Sequence, residues 1–527
     1  MEQVSKRTFA NSAIWRMAGT IAAKGISFAV SIILARIIMP SDYGIIAIAS
    51  VFINLSDIFI EGGFTTALVR KKDVDGYDYS SVFFVSLGIS AVLYLILFFC
   101  SPLLAGYYEE SILDSVLKVI GLMFFIQAFS CTRNIYVQRQ MKFKLLSICN
   151  IIGSVISGVA GVIAAYCGLG VWALVIQQLS QQAIVTILLY CFVRIDIKWG
   201  FKWSRVKETF KFSAGVMGAS LLNYGGSYLG NLFIGKIYSV EDLGYYDKGG
   251  QLPMQASLYT FGSMSGVLLP TLASYQEDIE NFKRVFRKVI RMTAFFIFPM
   301  MVGMAIVSQE LIVVLLTEKW LPALRIMQFS CLYYLATPFM LINISVFYSL
   351  GHKYIRIRAE LIRLVLILGA IGIFAILLHC SISQLALINA IIAVIAALET
   401  YFEVRRLIKY GFKEVFFDFW KPALCSALMG GVVFGIRYAL PLIGLQSNIG
   451  ILIICVFGGI IVYFGLAFLF KDDSIKEFLD FLKNRKKKSQ EPAVENVDAV
   501  PSDVSNDEPN NEEEQLESEK EEDTKNE

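Results

Sequence analysis

Residues 14–44 read IWRMAGTIAAKGISFAVSIILARIIMPSDYG, an apolar run that ends in a turn and leads into a second apolar run. Each run has about 20 residues, enough to cross roughly 30 Å of hydrocarbon as a helix. The pair nevertheless carries Arg16, Lys24, Asp57 and Glu61. An ionisable group at membrane depth usually faces a water-filled cavity or a charged partner. The stretch therefore predicts a transmembrane hairpin whose charged side chains line a cavity.

The composition extends this prediction to the whole chain. Of its 527 residues, 56% are hydrophobic, whereas soluble domains contain about 45 to 50% apolar residues. Apolar runs of membrane-spanning length predict an all-α polytopic membrane protein with about fourteen transmembrane helices. The runs are 14–38, 44–69, 81–101, 113–133, 146–167, 171–193, 212–236, 245–271, 292–317, 324–349, 357–379, 383–403, 421–441 and 449–470.

Several kinds of site are not indicated by the sequence. The nine cysteines include no CxxC pair, the two histidines form no HExxH motif, and there is no GxxxxGK[ST] loop. The pattern therefore favours neither a zinc site, nor a disulfide framework, nor nucleotide hydrolysis. Glu109 and Glu110 are a lone acidic pair without a base or metal partner, so we expect no enzyme and no cofactor. The opening MEQVSKRTFANS lacks a small-residue cleavage site, and we expect no removed signal peptide.

Charge predicts the orientation and the C-terminal segments. Lysines and arginines cluster after the even-numbered runs, whereas the connections after odd-numbered runs are nearly free of positive charge. Because positive loops are retained in the cytoplasm, both termini are predicted to be cytoplasmic. Residues 491–527 carry a net charge of −13 and residues 1–490 a net charge of +16. The acidic tail is predicted to be disordered, and residues 471–490 form a basic amphipathic segment that either lies on anionic lipid or only fixes topology.

An internal repeat organises the apolar runs. ARIIMPSDYG at 35–44 matches GKIYSVEDLG at 235–244, and SVLKVIGL at 115–122 resembles PALRIMQF at 322–329. The first six runs are thus repeated by the next six, and the last two runs are additional. Transporters often contain such repeats, and their binding sites lie near the membrane middle between them. The predicted domains are an N-terminal six-helix lobe and a C-terminal six-helix lobe, followed by two additional transmembrane helices, at 1–211, 212–410 and 411–470.

Polar side chains recur on one face of the first run and of its repeat. In the first run Thr20, Lys24, Ser27 and Ser31 follow at spacings of four, three and four, which places them on one side of a helix. The seventh run carries a matching stripe. Asp247 and Lys248, at the start of the eighth run, are interpreted as a gate or an outer rim. The predicted cleft is lined by Arg16, Lys24, Ser27, Asn223 and Tyr224.

The charged residues of the first two runs allow two interpretations. In one, Arg16 and Lys24 bind an anionic headgroup such as a diphosphate, while Asp57 and Glu61 bind a coupling H⁺ or Na⁺ or release the lysine when substrate arrives. In the other, Lys24 and Asp57 lie nearly level and neutralise each other, while Arg16 extends to the membrane interface. For Lys24 and Asp57 we adopt the transport interpretation, because intramembrane charges are rarely retained for stability alone.

The order and spacing of six motifs resemble those of a known family, the Wzx-type oligosaccharide flippases of the polysaccharide biosynthesis export family. That family belongs to the multidrug/oligosaccharidyl-lipid/polysaccharide superfamily, and the resemblance covers about residues 5 to 470. The motifs are FANSAIWRMAGTIAAKGISFAVSIILARIIMPSDYG, FIEGGFTTALVRKKD, RQMKFKLLSI, GLGVWALVIQQ, LGYYDKGGQLP and LLPTLASYQED.

The resemblance implies two lobes arranged as a V, two peripheral helices, and alternating access in the bacterial cytoplasmic membrane. It also implies a polyprenyl-diphosphate-linked oligosaccharide as substrate, membrane lipids as surroundings, and polymerase and chain-length proteins as partners, with no nucleic acid. Cationic cavity residues of the family correspond here to Arg16, Lys24 and Lys248. Asp57 and Glu61 depart from a uniformly cationic cavity, and the acidic tail has no counterpart in the family pattern.

Two other functions share parts of this pattern. A small-molecule antiporter of the same superfamily would have the same architecture and would use Asp57 and Glu61 as its cation site. A membrane-embedded polysaccharide polymerase is the enzyme alternative, and it usually presents a sizeable outer loop with acidic groups. The longest candidate here, LAGYYEESILD, is short. The sequence therefore favours a flippase for cell-surface polysaccharide such as O-antigen, capsule or exopolysaccharide.

Overall fold

A computed structural model describes residues 6–71, 73–195, 198, 200–444, 446–470 and 474–475. The predicted amphipathic segment 471–490, apart from residues 474–475, and the predicted acidic tail 491–527 lie outside the described residues. The described helices are α1 (Lys6–Ile37), α2 (Pro40–Asp57), α3 (Gly63–Arg70), α4 (Gly76–Tyr108), α5 (Ser111–Ile120), α6 (Met123–Arg139), α7 (Phe143–Tyr166), α8 (Val171–Phe192), α9 (Trp203–Ile237), α10 (Val240–Ala273), α11 (Ile279–Ile306), α12 (Ser308–Leu315), α13 (Leu324–Ser349), α14 (Lys353–Ala370), α15 (Ile382–Ile408), α16 (Phe412–Leu442) and α17 (Asn448–Leu469).

Three irregular helical segments interrupt this series. A π-helical segment at Ile58–Gly62 joins α2 to α3, a 3₁₀ segment at Glu318–Ala323 precedes α13, and a second π-helical segment at Ile371–Leu377 follows α14. A π-helical turn inside a helix is rare and often marks a functional position. The second predicted transmembrane run is therefore a continuous helix, Pro40–Arg70, with a π-helical turn inside it that its apolar pattern did not indicate.

Twelve helical stretches within the described residues are long and apolar enough to cross a membrane. The predicted seventh and eighth runs, 212–236 and 245–271, are helical as parts of α9 and α10, but they are not among the twelve. The prediction of an all-helical polytopic fold is confirmed, and the total of fourteen spans stays a prediction.

The helices form two bundles and an added pair. In the first bundle, α1 to α8, α7 packs on α1 and α8, and α4 packs on α5 and α6. In the second bundle, α9 to α15, α13 packs on α10, α11 and α15, and α14 packs on α9. The bundles meet where α2 contacts α10 and where α9 lies against α2 and α3. The contacts between the bundles thus involve α2, α3 and α4 of the first bundle and α9 and α10 of the second.

The second helices of the two bundles, α2 and α10, meet at a close backbone contact, which we call the clasp: Pro40, Gly44, Val240 and Gly244. Pro40 is the first residue of α2, a position that suits its fixed φ angle and missing N–H. A Cβ atom at Gly44 would overlap the carbonyl oxygen of Val240, and a Cβ atom at Gly244 would overlap that of Pro40. Pro40 and Val240 are 200 residues apart, and so are Gly44 and Gly244. The contact is therefore reciprocal, as in an interface around a two-fold axis.

Two basic side chains repeat this reciprocity beside the clasp. Arg36, near the end of α1, donates from Nε to the carbonyl oxygen of Leu315 in the second bundle at 2.9 Å. Its repeat counterpart Lys236, near the end of α9, pairs with Glu109 of the first bundle at 2.9 Å. In each bundle, a basic side chain near the end of the first helix thus contacts the other bundle. The contacts support the repeat inferred from ARIIMPSDYG and GKIYSVEDLG.

Buried aromatic donors complete this end of the interface. The indole Nε1 of Trp320 donates to the carbonyl oxygen of Ala35 at 2.8 Å, and the hydroxyl of Tyr108 donates to that of Leu232 at 2.8 Å. Each donor belongs to one bundle and its acceptor to the first helix of the other. A buried donor that loses its partner is destabilising by about 1–3 kcal/mol. This end of the interface is therefore held shut by several contacts that must separate together.

The added pair, α16 and α17, is fastened to the second bundle by buried charge. Arg287 of α11 binds Asp418 of α16 in a bidentate pair, with both N–O distances at 2.8 Å. The hydroxyl of Tyr410 donates to the same carboxylate at 2.8 Å, and Asp418 is only 2% exposed. At the other end of α16, Arg437 pairs with Glu310 at 2.7 Å. The pair is therefore expected to move with the second bundle.

We expect Asp418→Asn to lower the thermal stability of the purified protein, because it leaves the Arg287 guanidinium without its buried counter-charge. Breaking a buried ion pair from one side is destabilising by about 3–5 kcal/mol. The measurement is the unfolding temperature in detergent. The matched control is Asp114→Asn, whose partner Lys118 is partly exposed and whose loss should change stability by only about 0–1 kcal/mol. Equal unfolding temperatures of the two variants would contradict the prediction.

Candidate functional site

Lys24 lies on the side of α1 that is turned toward the second bundle. It is seven residues before Ser31, so the two side chains share a face of α1 and are about 10 Å apart along its axis. Ser31 contacts Lys248 and Gln251 of α10, which fixes the direction of that face. Lys24 is exposed, and it makes no ion pair with any described residue. Its ammonium is free to meet a ligand between the bundles.

Lys248 is buried in the interface instead of being open to a ligand. Its Nζ donates to Ser31 Oγ at 2.6 Å and to Gln251 Oε1 at 2.8 Å, and it lies 4.3 Å from the ring centroid of Tyr43. The residue is 3% exposed. Ser31 and Tyr43 belong to the first bundle and Lys248 to the second. In this conformation the predicted substrate contact is therefore an inter-bundle contact, and a ligand reaches it only if the bundles part.

Asp57 and Glu61 lie at the π-helical turn of the second transmembrane helix. Asp57 is the last residue of α2, and Glu61 lies in the π-helical segment. Glu61 accepts a weak hydrogen bond from Asn134 Nδ2 at 3.4 Å, and Ser86 Oγ donates to the carbonyl oxygen of Ile60 at 3.1 Å. Both carboxylates are half-buried, and neither forms an ion pair within the described part of the chain. They form a local acidic site in the first bundle.

The structure does not form the ion pair considered between Lys24 and Asp57. The sequence places them at nearly the same depth along their two helices, counted from the turn. Equal depth does not fix the direction in which each side chain points. Lys24 faces the second bundle, whereas α2 continues from Asp57 into the π-helical segment, where Glu61 faces Asn134 of the first bundle. Mutual neutralisation therefore does not explain why either charge is present.

Ser27 is turned into the first bundle. Its Oγ donates to Ser154 Oγ of α7 at 3.3 Å, and Gln181 of α8 also reaches Ser154, at 3.5 Å. Ser27 and Ser31 therefore point to different neighbours although they share the predicted polar stripe. Ser27 contributes to a polar layer inside the first bundle, and it does not contact the second bundle in this structure.

Tyr224 joins α9 of the second bundle to α2 of the first. Its hydroxyl donates to the carbonyl oxygen of Val51 in α2, and its ring stacks on Tyr228 with centroids 4.8 Å apart. The side chains of Arg16 and Asn223 lie outside the described part of the structure. Of the predicted residues, Lys24, Tyr224 and Lys248 are at the inter-bundle interface, and Ser27 and Glu61 are turned into the first bundle.

No group of three or more His, Cys, Asp or Glu side chains that could hold a metal ion occurs within the described ranges. The charged and polar groups described above give the interface its chemistry. Among the described residues it presents the exposed ammonium of Lys24 on the first bundle, two carboxylates at a π-helical turn, and a contact end that is closed by reciprocal backbone packing. The fold and this interface define a multi-pass α-helical membrane protein.

Comparison with known proteins places the chain in a family. Residues 33–325 match the family described as polysaccharide biosynthesis protein, which is more than half of the chain. This chain belongs to that family. The resemblance inferred from the six motifs is thereby confirmed.

Curated relatives carry names from the same field. The teichuronic acid biosynthesis protein TuaB of Bacillus subtilis (strain 168) is 26% identical over 420 residues, which are 78% of this chain and 85% of TuaB. The succinoglycan biosynthesis transport protein ExoT of Rhizobium meliloti (strain 1021) is 26% identical over 60% of this chain and 64% of ExoT. The lipopolysaccharide biosynthesis protein WzxC of Escherichia coli (strain K12) is 21% identical over 61% of this chain and 66% of WzxC. The matches to ExoT and WzxC thus span just under two thirds of those proteins.

Solved structures share the fold at low sequence identity. The lipid II flippase MurJ in an inward closed conformation superposes with a TM-score of 0.72 at 19% identity, over 88% of this chain and 100% of that one. An inward-facing multidrug resistance MATE family transporter of the MOP superfamily superposes with a TM-score of 0.55 at 14% identity, over 76% and 94% of the two chains. The predicted superfamily fold is confirmed.

Proposed function

We propose that this protein is a flippase. It moves polyprenyl-diphosphate-linked oligosaccharide units from the cytoplasmic to the outer leaflet of the bacterial cytoplasmic membrane, for cell-surface polysaccharide synthesis. Membership of the polysaccharide biosynthesis family supports a role in polysaccharide synthesis. The names of TuaB, ExoT and WzxC support an envelope polysaccharide as the product of that synthesis. The proposal includes transport without catalysis, cytoplasmic termini, and later use of the unit by polymerase and chain-length proteins.

The observation that carries the proposal is the exposed ammonium of Lys24 on the inter-bundle face of α1, which has no ion-pair partner among the residues that the structure describes. A charge at membrane depth is expensive unless it meets water or a partner. A diphosphate supplies such a partner, because several phosphate oxygens accept charge-assisted hydrogen bonds from one ammonium. Lys24 therefore binds the headgroup while the bundles are apart on its side.

Alternating access follows from the clasp. The contacts of Gly44 with Val240 and of Gly244 with Pro40 hold one end of the interface shut. In our proposal this end is extracytoplasmic, so the structure represents a state in which substrate enters from the cytoplasm. Parting of the clasp would free Lys248 from Ser31 and Tyr43 and open the opposite leaflet. Reciprocal packing suits this role, because a two-state interface separates as a unit.

Coupling to an H⁺ or Na⁺ gradient is assigned to Asp57 and Glu61. These two carboxylates lie at a π-helical turn and have no ion-pair partner within the described part of the chain. They would therefore bind a proton or a cation at low energetic cost. The same observation favours the second candidate function, a cation-coupled multidrug antiporter. The two functions differ in cargo: an antiporter reconstituted in liposomes exchanges cationic dyes for protons or sodium, whereas a flippase does not.

The test of the proposal is deletion of the gene followed by analysis of lipid-linked intermediates. We expect one completed repeat unit to accumulate on its polyprenyl carrier in the cytoplasmic leaflet, because the unit is built there and cannot cross. Re-expression of the wild-type chain should clear it. Deletion of a polymerase is the matched control, since it leaves the same unit in the outer leaflet. A deletion strain without any accumulated intermediate would contradict the proposal.

A further inference from the structure

A recess lies around Asp247 of α10, where the second bundle faces the first. This residue is exposed, although its neighbour Lys248 is buried against the first bundle. Tyrosines from four helices come within electrostatic range of the Asp247 carboxylate: Tyr43 of α2, Tyr228 of α9, Tyr246 of α10 and Tyr334 of α13. The recess is therefore defined by an accessible carboxylate with aromatic side chains from four helices near it.

Aromatic faces line this recess. Tyr228 is 38% exposed and stacks on Tyr224 with centroids 4.8 Å apart, so one of its faces is held by packing. Tyr333 packs edge-on against Tyr334 with centroids 4.9 Å apart. Tyr333 also lies within electrostatic range of Tyr228. Rings fixed in this way present an ordered aromatic surface at little conformational entropy cost.

Polar atoms in and beside the recess lack partners in the described structure. The hydroxyl of Tyr43 is buried without a hydrogen bond, and Tyr43 is only 7% exposed. Asn389 donates from Nδ2 to the Tyr246 hydroxyl at 2.9 Å, but its Oδ1 is buried and unsatisfied. Buried polar groups are normally hydrogen-bonded. These two unsatisfied atoms therefore point to a polar ligand or to water in the recess.

We propose that the recess around Asp247 is a carbohydrate subsite. The ring of Tyr228, with Tyr333 beside it, receives the apolar faces of sugar rings, and the Asp247 carboxylate and Asn389 Oδ1 accept hydrogen bonds from sugar hydroxyls. This inference rests on the proposed function. It identifies the part of the chain that recognises the sugars of the substrate. The recognition of the substrate is then divided, with the diphosphate on the first bundle and the sugars on the second.

Charge favours sugars over the diphosphate at this recess. Asp247 would repel phosphate, and the neighbouring ammonium of Lys248 is already engaged by Ser31 and Gln251. Neutral hydroxyl groups, by contrast, donate readily to a carboxylate. Lys24 lies about 10 Å along α1 from Ser31, which itself contacts Lys248. An extended headgroup can therefore reach from one subsite to the other.

The test compares two probes on purified full-length protein in lipid nanodiscs. One probe is the lipid-linked oligosaccharide that accumulates in the deletion strain, and the other is polyprenyl diphosphate without sugar. We expect Tyr228→Ala and Asp247→Asn to weaken binding of the glycosylated probe by about tenfold each and to leave the sugar-free probe unchanged. Tyr228→Phe should bind both probes normally, since it keeps the ring.

The control variants separate this inference from the proposed function. Lys24→Ala should weaken both probes, and Tyr438→Ala should weaken neither, because Tyr438 is 70% exposed on the added pair. If Tyr228→Ala and Asp247→Asn weaken both probes equally, or neither of them, the carbohydrate subsite is wrong while the flippase proposal stands. If the wild-type protein binds neither probe, the proposed function fails and the subsite fails with it.

Discussion

Replacement of Gly44 by leucine is expected to abolish polymer production while the protein still reaches the membrane. A Cβ atom at this position already overlaps the backbone of Val240, and backbone cannot rotate away as a side chain can. Overpacking is typically destabilising by about 1–3 kcal/mol, and the full penalty applies only while the clasp is closed. A bias of about 1.4 kcal/mol changes the ratio of two states tenfold. The clasp should therefore stay open, and the transport cycle should stall.

Two measurements check this prediction. The first is surface polymer in a deletion strain that carries the variant. The second is labelling of Ser31→Cys by a bulky maleimide in purified protein without its native cysteines, which should rise several-fold when the clasp opens. Gly88→Leu is the matched control, because nothing lies within 4 Å of a Cβ atom there. Gly244→Leu should reproduce the defect from the other bundle. Normal polymer and unchanged labelling in both clasp variants would show that the contact does not gate transport.

The repeat explains why the clasp could be anticipated in part from the sequence. ARIIMPSDYG and GKIYSVEDLG align Gly44 with Gly244 and Arg36 with Lys236, and the structure brings these residues to reciprocal contacts. The alignment marks equivalent positions, but it contains no information on which position of one bundle meets which of the other. Only the packing shows that Gly44 meets Val240, four residues before its own counterpart.

Helical periodicity predicts which residues share a face of one helix. It does not predict which neighbouring helix each of those residues contacts. A spacing of three or four residues puts Lys24, Ser27 and Ser31 on one side, yet each residue adds about 100° of rotation, so members of one stripe reach different neighbours. Ser27 meets α7 and Ser31 meets α10. The π-helical segment begins at Ile58, after Asp57, and gives Glu61 a rotation that no apolar pattern reports. Equal depth of Lys24 and Asp57 along their helices therefore does not imply a contact between them.

The tyrosines of the carbohydrate recess had almost no signal in the sequence. Tyr246 and Asp247 are adjacent in the motif LGYYDKGGQLP, but Tyr228 and Tyr334 come from distant helices. In a chain with 24 tyrosines, aromatic residues are unremarkable at any one position. A spacing of four residues between Tyr224 and Tyr228 was the one available sign, since it places both rings on the same face. Their convergence on Asp247 depends on tertiary packing.

Removal of the exposed ammonium is expected to have the second large effect. Lys24→Ala should abolish complementation by removing a charge-assisted contact to the diphosphate, worth about 1.5–3 kcal/mol or roughly ten- to hundredfold in affinity. Lys24→Arg should retain activity, because it keeps the charge. The measurements are polymer yield and binding of polyprenyl diphosphate to the purified variant. Lys118→Ala is the control, since that lysine forms an ordinary pair within its own helix.

Asp57→Ala should also abolish complementation, but for a different reason, and the difference can be measured. Because the structure has no ion pair between Asp57 and Lys24, exchange of the two charges in Lys24→Asp with Asp57→Lys should not restore transport. Asp57→Ala should leave diphosphate binding nearly unchanged while transport driven by the H⁺ or Na⁺ gradient is lost. Rescue by the charge exchange would instead show that the two residues act as a pair. Full polymer yield from both single alanine variants would remove them from the mechanism and leave the flippase proposal without its diphosphate contact.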